Sequence, residues 1–85
     1  MINWIEQEDG LSCNLSFSDF DEAFSFMQEV AKVAKQINHH PDWTNVYNNV
    51  SIRLNTHDEN GKVTAKDYQL ADAISDVFVK FKSKI

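Results

Sequence analysis

Leu11-Ser12-Cys13-Asn14-Leu15-Ser16-Phe17 runs straight into Ser18-Asp19-Phe20-Asp21-Glu22-Ala23-Phe24-Ser25-Phe26-Met27, and the change of period at that junction decides the fold. Up to Phe17 apolar and polar residues alternate, so one face of a strand is buried and the other wetted, with Cys13 on the buried face. Beyond Ser18 the apolar residues recur at helical spacing. Ser18 and Asp19 offer an N-cap, Asp21 and Glu22 suit the positive end of a helix dipole, and Lys32 and Lys35 suit its negative end. A helix over residues 19–37 is expected. Phe20, Ala23, Phe24, Met27, Val30, Ala31 and Ala34 form its apolar stripe, which Phe26, Val33 and Ile37 widen to roughly half the circumference. One sheet face does not easily cover so broad a surface, so the helix is either sandwiched deeply or touches a second subunit on its Phe26 and Val33 side.

Working outward, Asp9-Gly10 can take the positive φ of a tight turn, which pairs residues 2–8 antiparallel with the first alternating run. Pro41 disfavours helix at His40, so the helix ends near His39 and the chain leaves extended. Val50, Ile52, Leu54 and Thr56 alternate with Ser51, Arg53, Asn55 and His57, a strand with His57 on its polar face. A turn at Asn48-Asn49 would join it to a strand over residues 43–47 and set Tyr47 on the same face as Val50; a strand running through instead sets Tyr47 with His57. Asn60-Gly61 marks a loop and Thr64 caps a last helix. Leu70, Ala71, Ile74, Val77, Phe78 and Phe81 form its buried stripe, and Lys80, Lys82 and Lys84 suit its end. The order β-β-α-β-β-α predicts an α+β fold, a four-stranded antiparallel sheet with two helices packed on one face, as one domain over residues 1–85.

Composition bounds the function. A chain of 85 residues buries only roughly 60–65 % of its unfolded surface, which favours self-association as a homodimer or homotetramer. A net charge of -5 lacks the basic footprint of direct nucleic-acid binding. No run approaches the roughly 18 apolar residues of a membrane span. One cysteine precludes an intrachain disulfide, and no basic, apolar leader follows Met1, so a cytoplasmic location is expected.

All three histidines, His39, His40 and His57, stand near Pro41, Tyr47 and Asp67 in the pattern, and imidazole exchanges protons near neutrality. Asp67 has two readings. With Thr64 it makes a capping pair, yet on the helical wheel it lies between Leu70 and Ile74, where an ionised carboxylate needs a cationic or donor partner. Three histidines with a carboxylate also admit a zinc or non-haem iron site, against which stand the divergent directions of adjacent His39 and His40. Trp43 and Tyr47 have a plain packing role available to them.

Lys35, His39-His40-Pro41, Tyr47, His57 and Asp67, at these intervals, resemble the signature of the pterin-4a-carbinolamine dehydratases. The runs Asn38-His39-His40-Pro41-Asp42-Trp43, Asn45-Val46-Tyr47 and Thr56-His57, with Phe24, Phe26 and Met27, extend the similarity from about Trp4 to the end. Many members have an additional N-terminal helix that this chain is expected to lack, and some carry an acid where Lys35 stands. The resemblance implies dehydration of 4a-hydroxytetrahydropterin to quinonoid dihydropterin, the recycling step after an aromatic amino-acid hydroxylase, with the pterin as substrate and no cofactor or metal. It assigns proton transfer to His39 and His57, binding or assistance of the hydroxyl to His40, and orientation of a histidine to Asp67. Pro41 and Trp43 would shape the pocket, and Thr56, Asp58 and Glu59 would contact the pterin. The helix C-terminus beside His39 suggests the acid's part for it. The same family resemblance also carries a non-catalytic alternative, a module that stabilises dimers of a homeodomain transcription factor or assists assembly of a carbon-fixing enzyme.

Overall fold

A computed structural model describes residues 2–83, with side chains to residue 81. Its elements follow the expected order: β1 (Ile5–Gln7), β2 (Gly10–Ser16), α1 (Phe20–Ile37), β3 (Asp42–Val46), β4 (Asn49–Leu54), a single 3-10 turn (His57–Glu59) and α2 (Ala65–Ser83). The four strands form one antiparallel sheet in the order β1-β2-β4-β3, which puts β2 and β4 at its centre. Leu11, Cys13 and Leu15 from β2 and Val50, Ile52 and Leu54 from β4 are buried beneath the helices. The far face is polar. Ser51 donates to Asn14 Oδ1 at 2.5 Å and Ser16 to Asn49 Oδ1 at 2.8 Å across it.

Where the turns fall differs from the sequence reading. The β1–β2 turn is made by Glu8 and Asp9, and Gly10 is the first residue of β2, paired with Gln7. Gly10 is required by close approach: a Cβ there would stand 3.1 Å from Leu54 O and 3.1 Å from Arg53 Nε. The β3–β4 turn is Tyr47-Asn48, one residue earlier than expected, and Tyr47 has φ 53°. Tyr47 therefore stands exposed in the turn itself, at the hairpin tip, rather than on either expected strand. Asn48 anchors that tip, its amide donating to Phe17 O at 2.9 Å.

Helix α1 is capped by Asp19, whose carboxylate accepts from Glu22 N at 2.8 Å, while Glu22 reaches back to Ser18 N at 2.9 Å. Its buried line is Ala23, Phe26, Val30 and Ala34. The expected subunit-contact side is thus wrong for Phe26, which is 0 % exposed and sits in the core. The cause is α2, which packs on that side and brings Phe78 and Phe81 edge-on to Phe26 at 6.0 Å and 5.8 Å. Phe17 closes the cluster 4.9 Å from Phe26. Phe20 and Phe24, expected in the buried stripe, stack on each other at 5.7 Å with nearly half of each ring exposed. Trp4 ties the N-terminal segment to α2 through its indole N–H and Ser75 Oγ, 3.0 Å apart. The lysines expected to close α2 at positions 82 and 84 lie outside the described side chains.

The two kinds of phenylalanine on α1 should separate in denaturation. Phe26→Ala removes a ring enclosed on every side and is expected to cost roughly 3–5 kcal/mol, whereas Phe24→Ala should stay within about 1 kcal/mol. Urea unfolding followed by far-ultraviolet circular dichroism measures both, and equal losses would place the core elsewhere.

Candidate active site

The site lies where three elements end. Asn38 stops α1 in the left-handed region (φ 60°, ψ 41°), with its own N–H bonded to Lys35 O and the His39 N–H to Ala34 O at 3.1 Å. That Schellman closure, which asparagine tolerates, holds the His39 backbone against the last helical turn. Strand β4 stops at Leu54, three residues short of the expected His57. Thr56 is fixed instead by an isolated bridge to Lys62, its N–H bonded to Lys62 O at 2.9 Å. His57 accordingly opens the 3-10 turn, exposed, rather than standing on a strand's polar face. Asn60 and Gly61, both at positive φ, bring the chain back to Thr64.

Asp67 joins these ends. It is 0 % exposed, and its Oδ1 lies 2.6 Å from His39 Nε2. Its Oδ2 accepts from the Thr56 hydroxyl and from Thr64 N–H, each at 2.8 Å. Both sequence readings of Asp67 are therefore structurally present: it occupies the third helical position of α2 as a capping acid, and it holds a histidine. Burial pushes its carboxyl up, but the bonds from the His39 ring, the Thr64 N–H and the Thr56 hydroxyl outweigh that and hold it below the usual carboxylate range. No buried side-chain polar atom among the described residues lacks a partner.

Above the pair opens a cleft of about 340 Å³ lined by Asn38, His39, His40, Asn55, Thr56, His57, Asp58 and Lys66. That volume is within the range of small-molecule sites, roughly 300–1,000 Å³. All three histidines meet here. His39 is largely covered, and His40 and His57 stand exposed on the rim. Other expected residues lie elsewhere. Trp43 packs against the core and borders a separate hollow along β2, β3 and β4, while Glu59 lines an adjoining hollow with Thr64 and Ala65 that shares Thr56, Asp58 and Lys66 with the cleft. Pro41 shapes the corner after His40 without lining the cleft. Among the described residues no group of three or more histidine, cysteine or acidic side chains is placed to hold a metal ion. Cys13, buried, has its thiol pushed up to about 12 by desolvation and is remote from this chemistry.

Asn38, Asn55 and Lys66 were missed by sequence reasoning. A signal existed for Asn38, whose residue type often ends helices; Lys66 lines the cleft from the first turn of α2, next to Asp67.

Comparison with known proteins identifies the family of the chain and its fold. The family described as Pterin 4 alpha carbinolamine dehydratase matches residues 2–77. A relative from Opitutus terrae, provisionally named a pterin-4-alpha-carbinolamine dehydratase, is 52% identical over 68 residues, 80% of this chain and 70% of that protein. One from Burkholderia pseudomallei strain 1710b, with the same provisional name, is 51% identical over 69 residues, covering 81% and 67%. The crystal structure of a transcriptional coactivator/pterin dehydratase from Brucella melitensis superposes with TM-score 0.78 at 36% identity, over 88% of this chain and 79% of that one. A pterin dehydratase-like protein identified as a RuBisCO assembly factor in the alpha-carboxysome shares the fold alone, with TM-score 0.70 at 13% identity over 89% and 87%.

The buried carboxylate makes acid stability a reporter of the pair. Asp67 titrates near roughly 3.9 in an unfolded chain and lower in the folded one. Its contribution is therefore complete above that value and is lost as the pH falls through it towards the folded pKa. Asp67→Asn is expected to be less stable at neutral pH by roughly 1–3 kcal/mol and to lose less than the parent on acidification. Urea midpoints collected from neutral to acidic pH test this, and parallel curves would remove the charge from the account.

Proposed function

The chain belongs to the pterin 4 alpha carbinolamine dehydratase family, and on that premise we propose that it removes water from 4a-hydroxytetrahydropterin to give quinonoid dihydropterin. The observation that carries this reading is the buried Asp67 bonded to His39, which lines a cleft together with His40 and His57. In the reaction the N5 lone pair forms the C4a=N5 double bond as the C4a–O bond breaks. One histidine protonates the departing hydroxyl, which leaves as water, and a base takes the N5 proton.

His39 and His57 are the proton-transfer residues on this reading, and His40 binds or assists the hydroxyl. With Nε2 committed to Asp67, His39 works through Nδ1. Asn38 and Asp58 line the cleft with amide and carboxylate groups of the kind that pair with the edge of a pterin ring, while the Asn55 amide already donates to Asp9 O at 3.2 Å; neither metal nor redox cofactor enters the step. The pathway setting is tetrahydrobiopterin recycling in the cytoplasm, downstream of an aromatic amino-acid hydroxylase. Assembly as a homodimer or homotetramer is supported by the short chain and by the exposed Phe20 and Phe24. No helix among the described residues is long and apolar enough to cross a membrane.

A binding or assembly module of the same fold is the second reading, favoured by that exposed stacked pair of rings. Turnover distinguishes the two. With synthetic 4a-carbinolamine as substrate, His39→Ala and His57→Ala should each slow dehydration by roughly 10²- to 10⁴-fold, and the parent's rate should survive exhaustive chelation. Unchanged rates in both variants would move the function to the binding module.

A further inference from the structure

Thr56 and Thr64 carry no role in the step just proposed, yet the Thr56 hydroxyl is bonded to Asp67 and the Thr64 hydroxyl to that of Thr56. An ionised carboxylate only accepts hydrogen bonds, and a threonine hydroxyl has one proton to give. Thr56 Oγ1 stands 2.8 Å from Asp67 Oδ2, so its proton is committed to the carboxylate. Thr64 Oγ1, 2.5 Å from Thr56 Oγ1, must then be the donor in that contact. The hydroxyl chain thus has one direction, Thr64 to Thr56 to Asp67. The Thr64 N–H fills the remaining site on Oδ2 at 2.8 Å, which leaves Oδ1 for His39.

We propose that Thr56 and Thr64 are positioning residues for His39: their one-way hydroxyl chain fixes the Asp67 carboxylate so that the ring donates from Nε2 and exchanges its proton with the cleft through Nδ1. A neutral ring with its hydrogen on Nε2 has its lone pair on Nδ1, and the second proton of the cation also sits on Nδ1. The β-branched side chain at position 56 suits the task because its χ1 is stiff, and the Thr56–Lys62 bridge fixes the backbone beneath it. Thr56 is 5 % exposed, so although it borders the cleft its hydroxyl faces the carboxylate. This separates it from a substrate contact, the part that the family resemblance gave it.

The tautomer stands independently of any activity, whereas the catalytic consequence rests on the dehydratase reading. Ring ¹⁵N shifts of His39 in the parent protein should report hydrogen on Nε2 in the neutral form; hydrogen on Nδ1 would overturn the proposal whether or not the chain dehydrates pterins. Thr56→Val keeps the shape and removes the donor. It should lower kcat by about 10- to 100-fold, as expected for loss of a hydrogen bond to a charged group, with KM unchanged. It should also move the acid limb of the pH-rate profile upward, because the carboxylate loses a bond to its charged form. Thr56→Ser should restore both. A raised KM with kcat intact would make Thr56 a substrate contact, and an unchanged profile would reduce it to packing. Thr64→Val, one step further along the chain, should show the same signs more weakly, and it serves if Thr56→Val does not fold. A parent that binds its tautomer as expected but shows no turnover would overturn the dehydratase reading alone.

Discussion

Everything in this molecule that resembles chemistry depends on one buried hydrogen bond, His39 Nε2 to Asp67 Oδ1. It joins the end of α1 to the first turn of α2, and through Thr56 it also takes in the chain just beyond β4. A carboxylate with no exposed surface is costly to bury unless its charge is matched and its lone pairs are filled. Here the lone pairs are filled by three donors from three segments. Removing any one of them leaves a charge enclosed in the core, so the geometry of the site and the closure of the helix layer are a single problem in folding.

The site is consequently divided in two by burial. Its floor, Asp67 with Thr56, Thr64 and the covered ring of His39, is set by the fold and by fully satisfied hydrogen bonds. Its rim, His40, His57, Asp58, Asn38, Asn55 and Lys66, stands on a helix stop, a 3-10 turn and a first helical turn. Preorganised groups at the floor need no reorganisation when a proton moves. Groups on the rim meet solvent and substrate first, and substitutions there perturb fewer internal contacts.

Much of the architecture was legible by period, alternation in residues 11–17 and from 50 onward and helical spacing in 20–37 and 65–81, while the two edge strands followed from the turns beside them. What the sequence could not place were the turns and the azimuth of α1. Asp9-Gly10 and Asn48-Asn49 both look like turn residues. Yet Gly10 is glycine to admit Arg53 and Leu54, and the second turn is taken by Tyr47, whose residue type argues against positive φ. Phe26 and Phe24 are equivalent in composition and differ only in which side α2 chooses. The histidine group and Asp67 were legible as a set of spacings, but their contacts arise from residues 28 apart in sequence and could not be read locally.

Asp67 also shows why capping and catalysis need not compete for a residue. A carboxylate has two oxygens, and here they face different ways: Oδ2 serves the helix start through Thr64 N–H, and Oδ1 serves His39. The capping contact fixes the rotation of the carboxylate, and that rotation aims Oδ1 at the ring. A longer side chain such as glutamate would satisfy the cap from the same position, but with one more rotatable bond and a displaced second oxygen. Aspartate at the third helical position is thus the length at which a helix N-terminus can orient a histidine from a neighbouring helix end.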